Sequence, residues 1–248
     1  MPELAEVKIM SEYINYVSKD ETYVDVKKSE KNKNPNISVP YEEFKIYSFS
    51  RGKELMLVIE DVKTKKEKRF LMGMGMSGNW VFIEKGNVPK HSHIIFESLS
   101  GGKLCMYDVR RFSRWKESNG WSDNRGPCML TEWDDFVNNL HNNSHKKIFD
   151  KPIYELMLDQ KYFNGMGNYL RAEILDRADQ DPFVSSREAI KNKKMLSLCD
   201  TVVEEAYQLG GGQLSQWMNP YFDDKLTFRE WMRCYTKKEK IKDRNGRT

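Results

Sequence analysis

The sequence predicts an α+β protein: an amphipathic helix, a β-rich half behind it, and then a helical half. Val7, Met10, Ile14 and Val17 recur at helical spacing directly behind the N-terminus, which is the apolar stripe of a helix with one buried face. From about Tyr23 to Val109 the pattern is that of short strands separated by glycine-containing turns. After about Gly126 the chain turns helical. Strands in one stretch and helices in another make an α+β protein.

The first helix carries Glu3 and Glu6 near its N-terminal end, three residues apart and so neighbours in space. Strand-like runs are Tyr23–Val26, Phe44–Phe49, Leu55–Ile59, Asn79–Ile83, Ile94–Phe96 and Leu104–Tyr107, with turns at Gly52, Gly86 and Gly101–Gly102. Short strands at this spacing point to a β-sandwich or flattened barrel. Lys31–Pro40 reads as a polar loop. Thr131–Leu140 reads as a helix with Thr131 as its N-cap. Pro152–Leu158, Tyr169–Arg177 and Lys194–Gln208 read as further helices, the last closed by Gly210–Gly212. Phe228–Tyr235 is amphipathic. Asn245–Gly246 is a two-residue hairpin signal, but Thr248 ends the chain two residues later, so the second strand is expected to be cut short.

At 248 residues the chain can bury a core, and two domains are expected. With 39% hydrophobic residues, 12 Tyr, 12 Phe and 6 Trp it is too aromatic for a disordered chain. No run approaches the ~18 apolar residues of a membrane span, and the N-terminus lacks a secretory pattern, so an intracellular protein is expected. The net charge of +4 leans towards a polyanionic partner. Lysines crowd 63–68, 191–194 and 237–242, although such runs are commonly solvated faces. Cys105, Cys128, Cys199 and Cys234 form no C-x-x-C pair, which excludes a zinc ribbon and predicts reduced thiols. His141 and His145 sit in the Asn-rich HNNSH stretch, which reads as a turn rather than a metal pair. No metal and no cofactor are expected.

Pro2 and Glu3 hold the first chemical possibility. Methionine is usually trimmed before a small residue such as proline, which leaves a secondary amine. An α-amino group has a pKa near ~8, against ~10.4 for lysine, so it is a usable nucleophile for Schiff-base chemistry. Glu3 and Glu6 could move protons beside it. Alone, proline at position 2 is common and carries no message. In NGMGN the glycines allow a tight backbone at the start of a helix, where exposed N–H groups and the dipole make an anion site, and Asn168 is placed to donate to a phosphate. Arg110 and Phe112 in YDVRRFSRW, with Met76 in GMGMSG, could occupy the space left when a base leaves a duplex. Lys53 in SRGKELMLV begins a strand, so its amine could point into a cleft.

Together these segments resemble the Fpg/Nei (formamidopyrimidine-DNA glycosylase/endonuclease VIII) family of DNA glycosylases, and the match spans nearly the whole chain. MPELAE is similar to that family's N-terminus, RGKELML to its lysine-bearing strand, and GMSG, DVRRFSRW and LDQKYFNGMGNYLRAEIL follow in order and spacing. The last of these resembles its helix–two-turns–helix signature. RGPCML, FDKPI and RCY followed by KDRNGRT resemble the Nei-like branch with a zincless finger. The sequence departs from the pattern at Ala5, where proline is frequent, and at Lys8, where Glu is frequent, which is expected on the solvent face.

The resemblance implies a β-sandwich catalytic domain with the N-terminal helix over 1–128, a helix–two-turns–helix domain over 129–226 and a zincless finger over 227–248. It also implies a bifunctional glycosylase and abasic-site lyase acting on oxidised bases in duplex or single-stranded DNA, as a monomer. Pro2 would attack C1′, Glu3 would be the general acid, Glu6 would hold the amine and the opened sugar, and Lys53 would bind the neighbouring phosphate. Met76, Arg110 and Phe112 would fill the void, Asn168 would clamp the backbone and Arg247 would reach towards the flipped site. The stretch from Gly210 to Lys225 would cap the lesion. The alternative is a non-catalytic helix–two-turns–helix DNA-binding protein, in which Pro2, Glu3, Glu6 and Lys53 have no reason to coexist.

Overall fold

A computed structural model of the chain describes residues 2–212, 227–234, 237 and 239–248. Contacts divide it into two compact units. The first comprises Pro2, Val7–Ser50 and Glu54–Trp121, and the second Glu3–Glu6, Arg51–Lys53 and Ser122–Thr248.

The first unit holds α1 (Leu4–Ser18) from Val7 onward and an eight-stranded sheet. The strands are β1 (Tyr23–Lys28), β2 (Phe44–Arg51), β3 (Glu54–Asp61), β4 (Glu67–Gly73), β5 (Gly78–Ile83), β6 (Ser92–Ser98), β7 (Lys103–Asp108) and β8 (Arg114–Glu117). Their order is β5-β7-β6-β1-β2-β3-β4-β8, and the registered pairs are antiparallel. The eight strands form one hydrogen-bonded ladder from β5 to β8. β3 is buried on both faces, so it reads as an unbroken aliphatic run rather than an alternating one. On one face Met56, Val58 and Leu71 pack together with Tyr47 and Trp121. Elsewhere in the unit Tyr23–Phe44 and Trp80–Phe96 stack, and Phe96 meets Tyr23 and Phe44 edge to face. Val7, Met10 and Ile14 of α1 are buried as their spacing predicted.

Two strands escaped the sequence reading. β4 begins inside the lysine run, and its Glu67, Lys68 and Arg69 mask the buried Phe70–Met72 that follows. β8 is RWKE, in which only Trp115 is buried. Three lysines of this run are ion-paired: Lys63 with Glu42 at 2.6 Å, Lys65 with Glu60 at 2.9 Å and Lys68 with Glu117 at 3.0 Å. Exposed pairs of this kind contribute little stability. Lys8 is half-buried and meets Glu12 at 2.8 Å.

The second unit is helical: α2 (Trp133–Asn143), α3 (Ile153–Leu156), α4 (Asn168–Ala178), α5 (Ser186–Ala189), α6 (Lys193–Gln208) and α7 (Phe228–Trp231). Its core collects Phe136, Phe149, Phe163, Leu170, Ile174, Val202 and Val203, and also Leu4 and Ala5 from the first turn of α1. α4 is buried on nearly every side, including the charged Arg171 and Glu173. Glu173 is kept satisfied by the N–H groups of Arg233 and Cys234, at 2.9 and 2.8 Å.

Several helix boundaries are corrected. Thr131 is not the N-cap of α2. Glu132 holds that position and makes no side-chain cap, because its carboxylate is taken by Arg51 at 2.7 Å and by the Cys128 N–H at 2.7 Å. α2 continues through Asn143, so His141 is helical rather than in a turn. α3 and α7 are single turns, shorter than their amphipathic patterns, and Tyr235 lies outside the described residues. At the end of α6, Gly210 has φ +78°, the left-handed closure expected of a glycine. Asn245–Gly246 does form a turn, with Gly246 at φ +73° and the Asp243 N–H donating to the Arg247 carbonyl at 2.8 Å. No strand flanks it among the described residues.

Gly165 shows how tightly the second unit is closed. Its φ is +104°, and an added Cβ would lie 2.4 Å from Leu4 Cδ1. Gly165→Ala is therefore expected to cost about 2 kcal/mol or more in urea unfolding, strain and clash together. Gly86→Ala, at φ +116° with nothing within 4 Å, should cost only the strain.

Candidate active site

α4 starts with a defect. Its N-cap is Gly167, which has no side chain to accept the first free N–H groups. Glu3 supplies the missing acceptor from the opposite end of the chain: Oε1 accepts the Tyr169 N–H at 3.0 Å and Oε2 the Leu170 N–H at 3.2 Å. Gly167 is glycine because the carboxylate occupies its side-chain space, where a Cβ would lie 2.1 Å from Glu3 Cδ. The anion site expected at NGMGN thus exists, but its occupant is a residue of the chain itself. The Leu4 N–H donates to the Gly165 carbonyl at 3.0 Å and ties α1 to the same loop.

Glu6 lies behind Glu3. Its Oε2 accepts the Glu3 N–H at 2.7 Å, and its Oε1 accepts the Tyr169 hydroxyl at 2.9 Å and the Gly212 N–H at 2.8 Å. Tyr169 therefore binds both carboxylates, one through its backbone and one through its phenol. Its ring packs against Phe228 and Trp231. Burial, with the two acids beside it, drives its phenol well above the ordinary range.

Lys53 enters the same unit at the Arg51–Lys53 turn. Gly52 makes that turn at φ +58°, against the Asn164 side chain. The Lys53 ammonium donates to the Met166 carbonyl at 2.6 Å. The Gln160 amide donates to the same carbonyl at 3.0 Å and accepts the Gly165 N–H at 3.0 Å. Burial lowers the Lys53 pKa, with Arg125 adding to the effect and Glu3 and Glu6 opposing it. Burial raises Glu3 to about 7; Lys53 and the two α4 N–H groups pull it down, and Glu6 pushes it up. A carboxyl that exchanges its proton near neutrality is suited to acid–base work.

Asn168, the first residue of α4, turns its Oδ1 to Arg171 at 2.6 Å. The buried Arg171 also donates to the carbonyls of Tyr154 and Thr248, at 3.0 Å each, and pairs with Asp243 at 3.4 Å. Asp243 in turn accepts the Arg247 N–H at 3.0 Å. Arg247 borders a cavity of about 480 Å³, together with Tyr154, Phe183 and Ile241. In the first unit, Met76, Arg110 and Phe112 are exposed, and the Arg110 guanidinium lies 4.8 Å from the centre of the Phe112 ring. Pro2 is buried, and Met1 lies outside the described residues. The site residues thus fall into two groups: Glu3, Glu6, Lys53, Asn168 and Arg247 in the second unit, and Pro2, Met76, Arg110 and Phe112 in the first. Tyr169, Arg171 and Gln160 were not singled out from sequence; each lies within LDQKYFNGMGNYLRAEIL. Among the described residues no cluster of His, Cys, Asp or Glu could hold a metal ion, and the four cysteines are free thiols.

An antiparallel sheet followed by a set of helices is also the fold of two solved Fpg proteins. The MutM (Fpg) protein from Thermus thermophilus matches with a TM-score of 0.68 at 24% identity, over 86% of this chain and 79% of that one. The LlFpg protein, solved in complex with a THF-DNA and an inhibitor, matches with a TM-score of 0.70 at 19% identity, over 86% of this chain and 82% of that one. Residues 1–115 match the family model of the formamidopyrimidine-DNA glycosylase N-terminal domain. Human endonuclease 8-like 1 is 33% identical over 280 aligned residues, covering 100% of this chain and 71% of the relative. The chain belongs to the Fpg/Nei family. It is a DNA glycosylase of base excision repair, and DNA is its partner.

Two outcomes follow from this geometry. Glu3 has its pKa raised on folding, from 4.5 to about 7, so its contribution to stability is full below the unfolded value and is lost as the pH rises through the folded one. Measured by denaturant unfolding, wild type should lose stability relative to Glu3→Gln between about pH 4.5 and 7, and the difference should level off above that. Tyr169→Phe keeps the ring and removes one hydrogen bond to Glu6; a loss of about 1–3 kcal/mol in the same assay is expected.

Proposed function

We propose that the chain is a bifunctional DNA glycosylase and abasic-site lyase whose nucleophile is the Pro2 amine, freed by removal of Met1. The nitrogen attacks C1′ of the flipped nucleotide, the N–C1′ bond forms, and the glycosidic bond breaks with its electron pair leaving on the base. Glu3 delivers the proton that neutralises the departing charge and assists ring opening. A secondary amine gives an iminium with no neutral imine form. That fixed positive charge accepts the electrons released when the C2′ proton is removed, so β-elimination and then δ-elimination cut the strand. Glu6, fixed by three donors, holds the amine and the opened sugar. Lys53 binds the neighbouring phosphate, whose charge offsets the effect of burial on the ammonium.

Met76, Arg110 and Phe112 fill the void left by the flipped base, Asn168 clamps the backbone and Arg247 reaches towards the flipped site. Phosphate contacts of this kind give salt-dependent affinity without sequence preference, as a search for scattered lesions requires. The substrates in this reading are oxidised pyrimidines, hydantoins and ring-opened purines in duplex or single strands, processed by a monomer wherever the cell keeps its DNA. Residues 1–128 form the catalytic domain, 129–226 the helix–two-turns–helix domain and 227–248 the zincless finger. The stretch from Gly210 to Lys225 caps the lesion; from 213 onward it lies outside the described residues.

One observation carries the reading: the residue directly after Pro2 is a buried carboxyl with a pKa of about 7, in reach of a lysine whose charge it feels. Borohydride added during incubation with abasic DNA should leave a covalent adduct. Absence of an adduct, with removal of Met1 verified by mass spectrometry, would refute the Schiff-base mechanism. Pro2→Gly should weaken trapping without abolishing it, because a glycine amine can still attack. Glu3→Gln should lose base excision by about 100-fold or more while cutting abasic sites far better; equal loss of both contradicts the acid role. In wild type the excision rate should fall above about pH 7, as Glu3 loses its proton.

A further inference from the structure

Asp108 ends β7 and is completely buried in the first unit. Three donors converge on its carboxylate. The Ser77 hydroxyl donates to Oδ1 at 2.5 Å, the Arg110 N–H to Oδ1 at 3.1 Å and the Ser113 N–H to Oδ2 at 2.7 Å. Ser77 Oγ accepts the Arg110 N–H as well, at 3.2 Å. The backbone of Asp108 is held equally firmly. Its N–H donates to the His91 carbonyl at 3.0 Å, and its carbonyl accepts the Arg111 N–H at 3.2 Å. The same carbonyl accepts from His93 Nε2 at 2.9 Å; a carbonyl only accepts, so the ring carries its proton there.

These bonds join two loops distant in sequence, the turn bearing Met76 and the loop bearing Arg110 and Phe112. The loops also touch directly. Gly75, at φ +60°, lies so close to Phe112 that a Cβ would come within 2.6 Å of the Phe112 carbonyl carbon. Arg111 is held at φ +56°, a conformation costly for a residue with a side chain. Behind the second loop, the Asn34 amide donates to the Ser113 carbonyl at 2.9 Å. Burial alone would raise the Asp108 pKa, but hydrogen bonds from Ser77, Ser113 and Arg110 outweigh it and hold the carboxyl below its usual range. The base of both loops is therefore buried and fixed, while Met76 and Phe112 stay 39% and 47% exposed at the tips. Apolar side chains held in water on a rigid foundation suit insertion into another molecule better than packing within their own fold.

We propose that Asp108 is a positioning residue that fuses the Met76 turn and the Arg110–Phe112 loop into one preformed wedge for the duplex around a lesion. This rests on the void-filling role proposed above for those three side chains. A wedge matters only where a partner strand leaves a gap, so its loss should separate duplex from single-strand activity. Asp108→Asn keeps the shape but turns one acceptor into a donor facing donors.

The test compares excision of an oxidised pyrimidine from duplex DNA with borohydride trapping on a single-stranded abasic oligonucleotide. Asp108→Asn should lower duplex kcat/KM about tenfold or more and change single-strand trapping by less than about twofold. Ser77→Ala, which removes one donor, should shift the same ratio in the same direction by about threefold. With 2-aminopurine opposite the lesion, wild type should give a fluorescence rise on binding that Asp108→Asn lacks. Unchanged duplex activity in Asp108→Asn overturns the proposal. So does equal loss on both substrates with Ser77→Ala at wild-type levels, which would mark Asp108 as a general support of the fold. A Met76→Ala, Phe112→Ala double variant separates the two layers. If it excises from duplex normally, the void-filling role fails and Asp108 with it. If it loses duplex excision while Asp108→Asn does not, only the Asp108 proposal falls.

Discussion

The capping of α4 by Glu3 is the interaction on which the second unit depends. A helix buried on nearly all sides cannot leave its first N–H groups unpaired, and its own N-cap is a glycine. Replacing a local Ser or Asp cap with a distant carboxylate has two effects at once. It fixes the N-terminal segment against the helix, and it places an acid in a dry setting with N–H donors on one side and a second acid on the other. The cap and the perturbed carboxyl are the same atoms. The bond that closes the fold here also prepares the group most suited to moving a proton.

The electrostatics of this cluster follow from competition rather than from any single pairing. Burial pushes Glu3 towards its neutral form and Lys53 towards its neutral form, while each favours the charge on the other. The result is a pair poised to respond to an incoming charge. In the proposed mechanism, a phosphate near Lys53 favours the ammonium and a departing anionic base draws on the Glu3 proton. Tyr169 steadies the arrangement by donating to both carboxylates while its ring rests on Phe228 and Trp231.

Much of the fold could be read in advance where one kind of side chain dominates. β3 is an aliphatic run bounded by turn residues, and the stripe of α1 is unambiguous. β4 and β8 were hidden because charged residues crowd their exposed positions and leave too few apolar ones to count. The N-cap of α2 was misplaced because Glu132 is committed to Arg51 and Cys128, partners that a local pattern cannot reveal. The same holds at the site. Pro2, Glu3, Lys53 and Asn168 stand in distinctive segments, but nothing local says that the anion at the start of α4 is Glu3. Asp108 and Arg171 lie inside distinctive segments too, but nothing local reveals their partners, which lie on two loops for Asp108 and include Thr248 for Arg171.

The separation in sequence between Glu3 and its partners has a consequence for the making of the protein. Glu3 bonds to a residue 166 positions away, and Glu6 to one 206 positions away. Contacts that close loops of this size are entropically costly and form late. During synthesis Glu3 and Glu6 emerge long before residues 169, 170 and 212, so their carboxylates wait for these donors. An interrupted polypeptide that stopped after the sheet would carry Pro2 and Glu3 yet lack α4 and its N–H groups. Assembly of the cluster thus couples residues 3 and 6 to residues 169–212, and neither carboxylate is fully bonded until α4 and the segment after α6 are in place.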